Sequence, residues 1–147
     1  EISFAERSFQ RETRVDLPGG TMVGTDEGEF GGTLVWQADN AKPVTLVDNN
    51  TSFLFRTERG VLSIHGRSHL NVTYGFAVLS APDGRGGYRA EEVVRFPAQA
   101  HPVLQLEDDL FAARVRDQVF IFSTSGIKRH AHCDVDPMAA SATSEQD

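Results

Sequence analysis

The sequence predicts an all-β fold, an incomplete propeller-like stack of antiparallel four-stranded units. Three observations carry this expectation. Short runs rich in β-branched and aromatic residues are separated by turn signals about every 8 to 12 residues. No stretch sustains a helical period. Three similar segments, LVWQ from Leu34, AVLS from Ala77 and FIFS from Phe120, begin 43 residues apart. A period of about 40–45 residues with four short strands is the size of one propeller blade. A β-sandwich or barrel is the alternative that the same turn spacing allows.

The elements follow in order. Residues 1–16 are polar and charged, with little periodicity beyond Phe4 and Phe9, and read as an N-terminal arm or an early strand that closes on the last one. Leu17-Pro18-Gly19-Gly20 is a turn signal. Gly31-Gly32 leads into a strand at Thr33–Gln37, followed by Val44–Val47, Thr51–Thr57 and Val61–His65. Phe53 and Phe55 alternate with Leu54 and Arg56, the period-2 pattern of a half-buried strand. The pattern then resets with Thr73–Ser80, a glycine-rich hairpin tip at Ala81–Gly87, Ala90–Phe96, Pro102–Leu106, Leu110–Val115 and Gln118–Ser123. The expected boundaries are an arm at 1–16, a β domain at 17–138 and a small, polar tail at 139–147.

A chain of 147 residues is one domain and buries enough surface for a core without covalent staples. Its formal net charge of −7 disfavours nucleic acid and anionic membranes, and steers a basic partner toward it. No window approaches the roughly 20 apolar residues of a membrane span. The single cysteine, Cys133, excludes an intrachain disulfide and leaves the redox compartment unread. The chain starts at Glu1, which fits a mature periplasmic or secreted protein whose signal peptide has been removed.

About two and a half units are legible, whereas a closed propeller needs four or more blades. Either the sheets form an open stack, or a homodimer completes a ring. Exposed sheet edges must otherwise be blunted, which the charged arm and polar tail are placed to do.

The segments Phe30–Trp36, Gly60–Gly66 with His69, Gly75–Leu79, Val93–Pro97, Asp109–Ala112 and Val119–Phe122 resemble small propeller-like proteins of the proteobacterial envelope. The resemblance covers about residues 30–127 and consists of structural punctuation. In this group, which includes some type VI secretion immunity proteins, the implied role is tight binding to a toxic enzyme. No inhibitory-loop motif stands here to be carried over.

Candidate functional residues are sparse. His65, Arg67, Ser68 and His69 form a polar stretch (HGRSH) that reads as a loop. Arg and His donate hydrogen bonds to carboxylates or backbone carbonyls, so a partner-binding loop is expected there. A serine–histidine nucleophile has no glycine-flanked elbow and no nearby orienting carboxylate. Arg85 and Tyr88, in and beside the glycine-rich tip, are residue types enriched at interface hot spots. A phosphate cradle there fails, because no helix follows the glycines.

His130, His132, Cys133, Asp134 and Asp136 form a dense cluster (HAHCDVD), but its spacing matches no zinc signature. An extended strand would turn only the two histidines to one face. Asp26, Glu27 and Glu29, and Glu107, Asp108 and Asp109, read as solvated turn acids rather than a glycosidase pair or a calcium loop. No metal, cofactor or catalytic residue is therefore expected. The expected function is a non-enzymatic periplasmic binding protein, an inhibitor or immunity protein whose loops cover a toxin or hydrolase. The alternatives are an assembly module that completes a propeller by oligomerisation, or a small metal-dependent hydrolase.

Overall fold

In a computed structural model, residues 12–132 are described, and they form twelve strands in three antiparallel four-stranded sheets, none closed into a barrel. The first sheet holds β1 (Glu12–Leu17), β2 (Gly20–Thr25), β3 (Leu34–Ala38) and β4 (Val44–Val47). The second holds β5 (Thr51–Thr57), β6 (Gly60–His69), β7 (Val72–Pro82) and β8 (Tyr88–Phe96). The third holds β9 (Val103–Glu107), β10 (Leu110–Val115), β11 (Gln118–Ser123) and β12 (Gly126–His132). Each sheet is a simple meander, with every strand paired to its sequence neighbour.

The all-β stack of four-stranded units is thus what the chain forms. The count of two and a half units is corrected to three complete ones. Leu34, Ala77 and Phe120 all fall on the third strand of their sheets, so the repeat is real but its phase is shifted. A period fixes the unit's length and says nothing of where a unit starts. Residues 12–16, read with the arm, form most of β1, which pairs with β2 and not with the last strand. The side-chain equivalence also slips by one residue in the third sheet. Leu34 and Ala77 face the following sheet, whereas Phe120 faces back onto the second. A one-residue slip turns every side chain of a strand over, so spacing alone does not set the face.

The second sheet is the middle layer and is buried on both faces. Along β6, Leu62 and Ile64 face the third sheet, while Val61, Ser63 and His65 face the first. The cluster between the second and third sheets includes Phe96, Phe111, Phe120 and Phe122, with ring centroids 5.4–5.6 Å apart. The cluster between the first and second is smaller: Met22, Leu34, Trp36 and Val61.

The first strands of successive sheets are also latched. Arg56 of β5 donates to the Asp16 carbonyl of β1, and Gln105 Nε2 of β9 donates to the Arg56 carbonyl at 2.8 Å. The turn acids take part: Asp108 accepts from the Glu58 amide at 3.1 Å, and Asp109 from the Thr124 amide at 2.7 Å and its hydroxyl at 2.8 Å. No helix among the described residues is long and apolar enough to cross a membrane.

Candidate protein-binding site

The residues expected to bind a partner do not come together. β6 and β7 pair along their whole length, from Val61 with Ser80 to His69 with Val72. The HGRSH stretch is therefore the end of a strand and not a loop. Its polarity reads as a loop because it enters a polar junction and then leaves the body of the sheet. Arg67, Ser68 and His69 stand at the β6–β7 tip, and Arg85 and Tyr88 at the opposite end of the second sheet. His65 lies between, in the interior.

His65 is the centre of a polar seam between the first and second sheets and is 1% exposed. Its Nδ1 is 3.1 Å from the Asn50 carbonyl oxygen, which only accepts, so Nδ1 carries the proton and donates there. Nε2 is left as an acceptor, and the Ser63 hydroxyl donates to it at 2.6 Å. The Thr51 hydroxyl, 3.2 Å from Nδ1, has the Thr33 carbonyl as acceptor at 3.1 Å. Burial pushes the His65 pKa down from 6.5 to about 4, against the raising effect of backbone hydrogen bonds at Asn50 and Asn49. A hydroxyl that donates to a neutral imidazole is the arrangement of a base-assisted nucleophile. Here Ser63 and His65 are sealed at 0% and 1% exposure, so a substrate reaches neither without parting the sheets.

The exposed tip is organised differently. A single 3-10 turn, Gly28–Phe30, follows β2 and packs beside the end of β6. Asn50, itself buried, fixes the turn by donating to the Gly28 carbonyl at 2.7 Å and accepting from the Glu27 amide at 3.1 Å. Gly32 is required beside it: a Cβ there would sit 2.1 Å from the Thr25 carbonyl oxygen. Arg67 Nη2 donates to the Glu29 carbonyl at 2.7 Å, and His69 Nε2 lies 2.9 Å from the Glu29 carboxylate. These bonds tie the β6–β7 tip to the first sheet.

Three large apolar side chains stand out of that tie: Phe30 at 84% exposure, Leu70 at 90% and Val72 at 58%. Leu70 opens the two-residue turn between β6 and β7 with φ 53°. That left-handed conformation suits Gly or Asn and strains a leucine. Leu70 belongs to no motif, and Phe30 stands only in the structural punctuation of the Phe30–Trp36 segment. The only signal for either was an unusual residue type for a turn.

At the other end, Asp83 accepts from the amides of Arg85 (2.7 Å) and Gly87 (3.0 Å), which fixes the hairpin tip and holds its carboxyl below the usual range. Tyr88 packs edge-on against Trp36 with ring centroids 4.7 Å apart, and burial raises its phenol pKa. It lines a shallow groove of about 180 Å³ with Leu17, Val61 and Pro82.

In the third sheet, His130 stacks on Phe120 and His132 lies 3.7 Å from Asp117. Cys133, Asp134 and Asp136 lie outside the described residues. Among the described residues, no three His, Cys, Asp or Glu side chains gather in a metal-binding arrangement. In comparisons with known proteins, no family model, curated protein or solved structure matches the chain.

Proposed function

We propose that the chain is a non-enzymatic binding protein whose β6–β7 tip, together with the Gly28–Phe30 turn, docks a basic protein partner. The single observation that carries this reading is the cluster of Phe30, Leu70 and Val72. All three are exposed; Phe30 follows Glu29 and Leu70 follows His69, so the Glu29–Arg67–His69 tie brings their backbones to one end of the molecule. Apolar side chains inside a polar rim match the apolar centre and polar edge of a protein interface, and Phe30 is of a residue type enriched there. A pre-ordered tip also lowers the entropy cost of association. Asp26, Glu27 and Glu29 give the rim its negative sign and, with the net charge of −7, favour a basic partner.

Arg67 and His69 serve the reading as braces for the anchors. Arg85 and Tyr88 drop out of this surface, being at the far end of the second sheet. The finer form of the proposal is a periplasmic inhibitor or immunity protein, with the tip seated in the mouth of a toxin or hydrolase.

The test is co-purification with secreted hydrolases encoded beside its gene, followed by the double variant Phe30→Ala/Leu70→Ala. Complex formation with the parent chain, and its loss in a folded double variant, is the expected result. A complex that survives the double substitution would move the interface elsewhere.

A further inference from the structure

The repeat assigns a purpose to each face of each sheet. The third strand of a sheet turns one apolar pair toward the sheet that follows. In the first sheet this pair is Leu34 and Trp36, and in the second it is Ala77 and Leu79, all buried. In the third sheet the pair is Val119 and Ile121, because Phe120 and Phe122 are taken up by the second sheet. Leu104, Ala112 and Ile121 continue this face as one row across β9, β10 and β11. None of Leu104, Ala112, Val119 or Ile121 is fully buried.

The opposite face receives the preceding sheet. In the second sheet Val78, across from Ser63, is buried against the first. The residue 43 positions earlier is Val35, which pairs with Val23 on the outer face of the first sheet. Both valines are only part buried. The chain therefore ends its stack on an outer face in the giving position and begins it on one in the receiving position, although the one-residue slip supplies the last giving face from Val119 and Ile121.

We propose that a second copy of this chain completes the stack. The outer face of one copy's third sheet packs on the outer face of the other's first sheet, and the reciprocal junction closes a six-sheet ring. A two-fold axis along the ring makes both junctions identical, and six blades lie within the range of closed propellers. The charges agree with this pairing. Arg114 and Arg129 border the apolar row of the third sheet. Glu12 and Asp16 flank Arg14 on the receiving face. Pairing of like faces would instead set arginines against arginines.

The test is solution mass by light scattering or sedimentation on the full chain. A dimer is expected. A monomer at all soluble concentrations, or a trimer or open polymer, would overturn the two-copy ring. Val35→Asp and Ile121→Asp should each give a monomer alone, since each breaks both junctions. Mixing the two variants leaves one native junction and should restore part of the dimer. If only one substitution changes the mass, the contact joins like faces and the proposal fails. Should either variant misfold, the exposed-charge variants Asp16→Arg and Arg129→Glu provide the reading. Each should weaken dimerisation by roughly threefold or more, and the double variant should recover it. An unchanged dissociation constant in both would overturn the pairing.

Discussion

The two junctions inside this chain join similar sheets by different physics. Between the second and third sheets, four phenylalanines, Phe96, Phe111, Phe120 and Phe122, form a continuous aromatic core with aliphatic neighbours such as Leu62 and Val115. Between the first and second, a small cluster around Met22 and Trp36 shares the space with buried Asn50, Thr51, Ser63, His65 and Ser80. The aromatic junction draws its strength from area removed from water, which is indifferent to pH. The polar junction depends on every donor finding its acceptor, and on a histidine staying neutral. The same four-stranded unit thus carries one robust seam and one conditional seam. The exposed tip lies at the end of the conditional one.

The largest expected effect falls on the aromatic junction. Phe122→Ala should cost about 3–5 kcal/mol of unfolding free energy in denaturant titration, because a fully buried ring leaves a cavity beside the Phe96 and Phe111 rings. A loss below about 1 kcal/mol would mean that the seam tolerates voids and that the contrast between junctions is overstated.

The next effect separates the junctions by pH. The unfolded chain binds a proton at His65 near pH 6.5, and the folded chain resists it to about 4. His65 therefore contributes stability that is fully present above pH 6.5 and is lost as pH falls through about 4. The change integrates to about 3 kcal/mol. His65→Gln, whose amide still accepts from Ser63 and donates to Asn50, should flatten that part of the stability profile. A profile equally steep in the variant would place the acid sensitivity on other groups.

Smaller effects probe the closeness and imperfections of the polar seam. A Cβ on Gly24 would meet Thr51 Cγ2 at 2.4 Å, so Gly24→Ala should push the first sheet from the second and cost about 1–3 kcal/mol. Ser80 Oγ is buried with no hydrogen-bond partner among the described residues. Ser80→Ala should therefore raise the melting temperature, by the equivalent of about 1 kcal/mol. Leu70→Asn should add a similar or smaller amount by relieving the left-handed strain, while weakening partner binding. A gain in both stability and binding would remove Leu70 from the interface.

The fold class was legible because Leu34, Ala77 and Phe120 recur on equivalent strands, and turn residues separate the runs between them. Two strands escaped notice and a third was one of two readings, each for an identifiable reason. β2 (GTMVGT) carries glycines that lower strand propensity, yet Gly24 is there because Thr51 leaves no room for a side chain. β1 and β12 are edge strands rich in charge; β1 reads as an arm or an early strand, and β12 as a polar segment late in the β domain. The site was legible only in part. Arg67 and His69 stood out by residue type, but their common partner Glu29 lies in the turn between β2 and β3, some 40 residues earlier, and nothing local in one sequence links them. His65 reads both as the end of the Val61–His65 strand and as part of the polar HGRSH loop, because Ser63 and His65 put polar residues where a buried strand face is normally apolar. Asp108 and Asp109 looked solvated, since a turn acid shows its latch only once the neighbouring sheet is in place.

The contrast between the two seams is tested most directly by residue-resolved hydrogen exchange of the full chain at pH 7 and at pH 4.5. Amides of β2, β3 and β6 beside the His65 seam should lose protection selectively at the lower pH, after correction for intrinsic rates. Those of β10 and β11 should keep theirs. Uniform loss across all three sheets, or earlier loss in β10 and β11, would contradict it.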